Sequence, residues 1–415
     1  MCSHNKQVIT KVSGTSQMDI ESSFELTDGE IVAVFDLGQD HRFTYEAPQR
    51  NNVSLQFYAP LRDHASMANV STAVFSELHK RLPDTSLHNY LPGPWVNNAL
   101  TQFHGIDHDA PIAYFIGVPD QVPEFFFDHP IAIGGFVCET DRILDEWVAI
   151  CNRLALVTVP SNWCRDAFIA SGVTTPVMVV PHGLDPEYRP YKEKERRDKL
   201  IFFNSFHSHS FYSRKGAEEL VRSFLKVFHK RDDVVLRLRT DRCQHLSTLQ
   251  RTYDFANLIE TEELSYVSTE EYARIFSDVH CTVHPSRGEG FGLVPFQSVA
   301  CETPVIAPHA TGMADYLDAN NSIELKTNGR INGEGVGNAA GTYFTIDEQH
   351  LADQLLYVDA NWSDEYAKVR AAGPEFRHRH AWDSALMPFV DLIVRLHKLN
   401  DVDAMQGLID KVVCA

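Results

Sequence analysis

Short apolar runs recur along this chain and alternate with segments whose apolar residues fall every third or fourth position. Val53-Ser54-Leu55-Gln56-Phe57-Tyr58 alternates with period two and predicts a strand. Behind it, after a loop through Ala59 to Ala68, Val70, Val74, Leu78 and Leu82 mark one face of a helix. Pro111 to Val118 and Ile131 to Val137 predict two more strands, the second ending in Cys138-Glu139-Thr140-Asp141. Thr140 is expected to cap a helix with Ile143, Trp147, Ile150 and Leu154 facing inward. Strand Leu156 to Val159 follows, then Ser161 as the cap of a helix over Asn162 to Ala170, stopped by Gly172, then strand Val177 to Val180.

Strands and helices alternating at this density imply an α/β fold with parallel sheets. A chain of 415 residues exceeds one ordinary core and suits two domains of roughly 150–200 residues each. The charged stretch Tyr191 to Lys199 reads as the connector, so the expected division is 1–190, 191–375 and a closing segment 376–415. The second domain would open with strand Leu200 to Asn204, a polar loop His207 to Ser213, and a helix carrying Leu220, Val221, Phe224 and Phe228 on one side. Strand Val234 to Arg239 comes next. Near the end, Asp383 is expected to cap a helix with Leu386, Phe389, Val390, Ile393 and Leu396 inward. Residues 1–50 carry strand-like runs Glu30 to Leu37 and Arg42 to Glu46, read as a β-hairpin lead-in with no assignable chemistry. The glycines at 329, 333, 335, 337 and 341 read as a surface loop, since no strand is expected to run into them.

Composition changes this picture little. The net charge of −19 opposes general attraction to nucleic acid or anionic lipid. No apolar run approaches the ~20 residues of a membrane span, and Met1 to Ser16 lacks the apolar core of a leader, so a cytoplasmic location is expected. The eight cysteines show no Cys-x-x-Cys and read as buried free thiols. The twenty histidines lack metal-ligand spacing, and no metal site is expected.

Chemistry concentrates in His284-Pro285-Ser286-Arg287-Gly288-Glu289-Gly290-Phe291-Gly292-Leu293. Val279 to Val283 before it reads as a strand, the sequence after Gly292 as a helix, and Val305-Ile306-Ala307 as the next strand. A strand, a glycine-bearing turn and a helix start form a ligand site at the carboxyl edge of a parallel sheet. Arg214 and Lys215 stand just before a predicted helix, where cations are disfavoured, so an anion held between them is expected.

The glycine-bearing stretch, with Gln297 eight positions after Glu289, resembles the Glu-x7-Glu signature of retaining glycosyltransferases of family 4. Glu139-Thr140-Asp141-Arg142, Val159-Pro160-Ser161-Asn162-Trp163 and Val180-Pro181-His182-Gly183-Leu184-Asp185 fall in the order seen in one branch of that family. The resemblance covers most of residues 53–397. It implies the GT-B architecture, two Rossmann-like domains facing a cleft, with last helices that cross back to brace the hinge. It also implies a nucleotide-diphosphate sugar as donor and retention of configuration, with no cofactor and no obligatory metal. By the same resemblance Glu289 would accept from sugar hydroxyls, Lys215 with Arg214 would hold the diphosphate, and Gln297 would accept one ribose hydroxyl without charge assistance. Ser286, Gly290, Phe291, Gly292, Leu293 and Gly216 would complete the donor site, and Glu289 and Lys215 would grip opposite ends of one donor.

Departures from the family pattern are visible. The loop holding Asp63-His64-Ala65-Ser66 lacks the usual glycines, and Asn204-Ser205 stands where many members have arginine. Where members often have a histidine near the reacting centre, this chain has Cys138-Glu139, which makes Glu139 a candidate for contacting acceptor or sugar. His104, His108, His129 and His182 are the alternatives. Two other readings stand beside the enzyme: a catalytically silent nucleotide- or sugar-binding relative, and the same chemistry on a hydroxylated nucleic-acid base. The sequence does not identify the acceptor.

Overall fold

Runs of β-branched and aromatic residues, buried on both faces, set the core of each half of the chain. A computed structural model describes residues 21–27, 30–36, 42–46, 50, 52–61, 66–91, 97–196, 199–206, 213–240, 258–263, 267–333 and 340–413. The loop at 63–65, most of the loop at 207–213, the glycines at 335 and 337, and Cys2, Cys243 and Cys414 lie outside them.

Residues 1–49 form a unit of their own. Strands β1 (Glu21–Thr27), β2 (Glu30–Asp36) and β3 (Arg42–Glu46) pair antiparallel in that order. The expected hairpin thus gains a strand that the sequence reading missed. Its residues, Glu-Ser-Ser-Phe-Glu-Leu-Thr, carry too little apolar alternation to signal one.

From Arg50 onward, two six-stranded sheets are parallel throughout. The first contains β4 (Gln56–Ala59), β5 (Ser86–Asn89), β6 (Ile112–Ile116), β7 (Ile131–Gly135), β8 (Leu156–Val159) and β9 (Val177–Val179), in the order β5-β4-β6-β7-β8-β9. The second contains β10 (Leu200–Phe206), β11 (Val234–Thr240), β12 (Ile259–Glu263), β13 (Cys281–Val283), β14 (Val305–Ala307) and β15 (Ile323–Glu324), in the order β12-β11-β10-β13-β14-β15. In each sheet the order reverses beside a central strand, and crevices for ligands open at such a switch point. In the second sheet it lies between β10 and β13, where Phe202 pairs with Cys281 and Phe203 with Thr282.

Helix α1 (Ser66–Arg81) packs Val74, Phe75 and Leu78 on the first sheet. Helix α2 (Asp145–Cys151) begins later than expected, because the Thr140 hydroxyl donates to the Arg142 carbonyl (2.8 Å) and closes a turn instead of capping. Helix α3 (Asn162–Ala170) starts as predicted, with Ser161 Oγ accepting from Cys164 N–H at 3.2 Å. In the second half, α4 (Ala217–Phe228), α5 (Thr269–Asp278) and α6 (Leu293–Ala300) cover the sheet. The long α7 (Glu348–Arg379) packs Leu351, Leu355, Val358 and Phe376 against the same core, and it kinks at Asn361 (φ −124°).

Helix α8 (Trp382–His397) then returns to the first sheet, burying Leu386, Phe389, Val390, Ile393 and Leu396 in that core. Asp383 is not its cap. The cap position is Ala381, and the Asp383 carboxylate accepts from the Ser384 amide in the first turn. Leu184 N–H donates to His380 O (2.8 Å), fastening the end of the first half to the returning segment. Helix α9 (Val402–Val413) closes the chain.

The glycine-rich stretch also differs from expectation. Strand β16 (Thr327–Asn332) runs into it and pairs antiparallel with β17 (Thr342–Ile346), Arg330 facing Phe344 and Ile331 facing Tyr343. The first of these strands is mostly exposed and polar, so it carries no period-two apolar signal. Residues 334–339 between the two strands lie outside the described set.

Candidate active site

The turn after β13 and the turn before α4 are pressed together at the carboxyl edge of the second sheet. Gly216 caps α4 with φ +64°, and a Cβ there would lie 2.1 Å from Pro285 O, so only glycine allows this approach. The backbone bond from Arg287 N–H to Arg214 O (2.8 Å) and the Arg214 guanidinium bond to Gly288 O (2.6 Å) lock the turns together. Gly292, with φ +90°, caps α6.

This framing brings four side chains to one point. Lys215 Nζ lies 2.5 Å from Glu289 Oε1, and Arg214 Nη1 lies 3.3 Å from Oε2. His284 Nε2 lies 3.1 Å from Glu289 Oε1. Glu289, Arg214 and His284 are 7%, 5% and 2% exposed, so the carboxylate is removed from water while held by three donors. Burial alone would push the Glu289 carboxyl up, but the Lys215 and Arg214 charges and the His284 bond override it and hold it well below the usual range. Burial pushes His284 down, against the pull of the carboxylate, and keeps the ring neutral.

The sequence argument called for an anion between the two cations, and in this structure the anion is Glu289. Glu289 and Lys215, expected at opposite ends of one ligand, are in direct contact. Glu139 reaches in from the first half, its Oε1 3.4 Å from Arg214 Nη2, with its side chain 43% exposed. Its carbonyl is so near the turn that a Cβ on Gly288 would lie 2.2 Å from it.

The remaining candidates divide by contact. Ser286 Oγ donates to Gly288 O (3.2 Å) and stiffens the turn. Gly290 O is taken by the first half: Ser161 Oγ donates to it at 2.6 Å and Cys164 Sγ at 3.4 Å. Phe291 is a packing residue, its ring 4.8 Å from that of His182 and 5.2 Å from Tyr316. Leu293 is half-buried against both cores. Pro295 removes one free N–H from the α6 start, and Phe296 N–H already donates to Gly292 O, so the amides of Leu293 and Val294 are those left for a ligand. Gln297 sits half-buried farther along α6 and takes no part in the cluster.

Among the alternative histidines, His129 bonds Tyr58 and Ala110 O within the first half, and His104 bonds Leu87 O. His182 faces the turn at Phe291, with burial pushing it down to about 3.

Sequence reasoning gave His284 no role, naming it only as the start of the glycine-bearing stretch, and missed Tyr343. The first stands at a strand end five residues before Glu289, a position that could have flagged it. The second comes from the ribbon β16–β17, and a Cβ on Gly288 would meet its ring at 2.8 Å. Asp141 ties that ribbon to the first half, accepting from Thr342 N–H and Thr342 Oγ1 at 2.7 Å each, with Arg330 paired to it as well.

Comparison with solved structures places the fold. The chain is similar to Anabaena HepE, determined in complex with UDP and glucose (TM-score 0.58, 13% identity, 84% of this chain and 100% of that one). It is also similar to a glycosyltransferase from Rickettsia africae (TM-score 0.60, 13% identity, 85% of this chain and 100% of that one). At such identity the likeness is one of fold: two Rossmann-like halves in the GT-B arrangement. The family follows from sequence, because residues 169–388, more than half the chain, match "Family 4 Glycosyltransferase in conflict systems", and the chain belongs to that family. A D-inositol 3-phosphate glycosyltransferase of Pseudarthrobacter chlorophenolicus is 29% identical over 33% of this chain, and the match spans only 34% of that relative's length. Among the described residues, no helix is long and apolar enough to cross a membrane.

Proposed function

We propose that the chain is a retaining glycosyltransferase that moves a sugar from a nucleoside-diphosphate sugar to an acceptor hydroxyl without an obligatory divalent ion. The observation that carries this is the buried Glu289 carboxylate gripped by Lys215 and Arg214 at the carboxyl edge of the second sheet. Buried cations beside a buried carboxylate are a preorganised electrostatic device, and a diphosphate is the anion that both cations would exchange for Glu289. On donor entry Lys215 and Arg214 turn to the phosphates and neutralise the charge that grows as the sugar–phosphate bond breaks. Glu289, released, accepts from sugar hydroxyls. Gln297 accepts one ribose hydroxyl through its amide oxygen, and the amides of Leu293 and Val294 face the phosphates. The acceptor attacks from the face the phosphate leaves, and a phosphate oxygen takes its proton. No protein nucleophile is required. The second half is then the donor side, and Glu139 presents a carboxylate from the acceptor side.

The five described cysteines are free and buried, in keeping with a reducing cytoplasm. One observation favours a second reading, a silent binding relative: Glu289 already has its acceptor capacity engaged within the protein. Thermal denaturation across a panel of nucleotide sugars separates these readings from an unrelated function, since a ligand at 100 times its Kd stabilises by about 2.7 kcal/mol. Slow release of free nucleoside diphosphate from the stabilising sugar nucleotide identifies the enzyme. Binding without release in the presence of a hydroxyl-bearing acceptor panel identifies the silent relative. UDP-glucose is the first compound to try, because the neighbouring HepE structure contains UDP and glucose.

A further inference from the structure

Glu289 Oε1 is served by two donors of different kinds. Lys215 is a cation at 2.5 Å, and His284 is an imidazole at 3.1 Å. The other oxygen, Oε2, faces Arg214 at 3.3 Å. A carboxylate can only accept, so the His284 contact requires a proton on Nε2. Nδ1 is buried with no hydrogen-bond partner among the described residues, so none of them draws the proton to that side. The backbone amide of His284 donates to Ile306 O (2.8 Å), which fixes the strand end that bears the ring, and burial at 2% exposure confines the ring itself.

The two classes of donor respond differently to an incoming diphosphate. Lys215 and Arg214 carry full charge and are drawn to phosphate oxygens. A neutral imidazole is not, and His284 sits on the strand end rather than on the turn that bears the cations. Once the cations turn to phosphate, His284 is the one remaining side-chain donor to the Glu289 carboxylate among the described residues. We propose that His284 is a positioning residue: its Nε2–H keeps Glu289 aimed after Lys215 and Arg214 transfer to the donor's phosphates. The inference rests on the transferase reading for its consequence, while the geometry it describes can be tested without a ligand.

The first arm uses full-length Lys215→Met, which removes the competing cation, with nitrogen NMR of the histidine rings. His284 is expected to keep its Nε2 proton and its bond to Glu289. Loss of that proton from Nε2, or a ring in free exchange with water, overturns the proposal. The second arm compares UDP affinity and release of UDP from UDP-glucose in wild type, His284→Ala and His284→Gln. His284→Ala is expected to bind UDP as wild type does, while its kcat falls about 100-fold, the loss associated with a misplaced contact. His284→Gln, whose amide nitrogen reaches a similar place, is expected to recover most of it. Wild-type kcat in His284→Ala overturns the proposal. So does a parallel loss of UDP affinity with no rescue by Gln, which would mark a merely structural role. A wild-type chain that binds neither UDP nor UDP-glucose overturns the donor reading and this role with it, even where the NMR result shows the His284–Glu289 bond itself as expected.

Discussion

The two parallel sheets have the same strand count and opposite polar interiors. Inside the first, the main buried polar pairs are neutral. Gln56 bridges Gly105 O and Asp107 N–H, the Tyr114 and Thr158 hydroxyls meet at 2.9 Å, and Tyr58 pairs with His129 at 3.3 Å. At the edge of the second, two cations and a carboxylate are buried together. Neutral networks fix a fold at small electrostatic expense. Buried ions gain little stability against their desolvation, so a concentrated group of them signals a task other than holding the fold.

The comparison breaks most visibly at Glu289. Removing it strands Lys215 and leaves Arg214 with the half-exposed Glu139 carboxylate, and Glu289→Ala is expected to destabilise by about 3–5 kcal/mol. The matching cut in the first half, His129→Phe, removes two neutral hydrogen bonds, to Tyr58 and to Ala110 O, and is expected to lose about 2 kcal/mol. Denaturant unfolding of both variants checks the contrast, and equal losses would erase it. Lys215→Ala keeps the carboxylate beside Arg214 and His284, so its main effect falls on turnover. A loss of about 10²–10³ in kcat is expected, as for removal of one electrostatic contact to a developing charge, and donor-hydrolysis rates measure it.

Acid separates the two regions by its onset. Burial, and then repulsion from His104 and His108, holds His88 down to about 3 from an ordinary 6.5. An unfolded His88 takes its proton near 6.5 while the folded one refuses it, so stability is lost as pH falls from 6.5 towards 3. His182 adds to the same window. Folded Glu289 stays ionised well below the 4.5 at which an unfolded glutamate takes a proton. Its contribution is full above that value and is lost as pH falls through the depressed folded one. Each group adds a slope of at most about 1.4 kcal/mol per pH unit in its window. Subtracting the stability–pH curve of His88→Phe from wild type should therefore leave a difference that changes from 6.5 downward. For Glu289→Gln the change should begin only below 4.5. A common onset would mean that the two environments do not differ in charge.

These contrasts also explain what the sequence disclosed. Alternation and helical spacing gave most strands of both sheets and the inward face of α8, because Phe57, Ile133, Phe202 and Phe389 owe their positions to burial, and burial leaves a period. Strands β5, β12 and β15 were missed, and the return of α8 came from the family resemblance. The turn glycines marked the site, since Gly216 and Gly292 adopt left-handed backbone that the pattern can flag. What stayed hidden depends on distance across the fold. Nothing local says that Lys215 will meet Glu289 rather than stand apart from it, while the turn of Thr140 onto Arg142 is a local alternative to capping that the residue type leaves open. The ribbon β16–β17 was unreadable because Thr327-Asn328-Gly329-Arg330 is polar and exposed, and its reason for being a strand lies in its partner and in Asp141.

The smallest expected effect is at that ribbon, where the two halves touch through a partly exposed carboxylate. Asp141 is 31% exposed and Arg330 42%, so solvent screens the ion pair, and Asp141→Ala is expected to reduce stability by less than about 1 kcal/mol. The ribbon does not depend on Asp141 for its own form, because Phe344 N–H donates to Arg287 O (3.0 Å) within the second half. What the substitution removes is the acceptor for the Thr342 amide. Hydrogen exchange in Asp141→Ala should therefore quicken at Thr342 and stay unchanged at Phe344. Quickening at both would mean that the ribbon is held from the first half, which would make Asp141 part of what shapes the wall around Glu289.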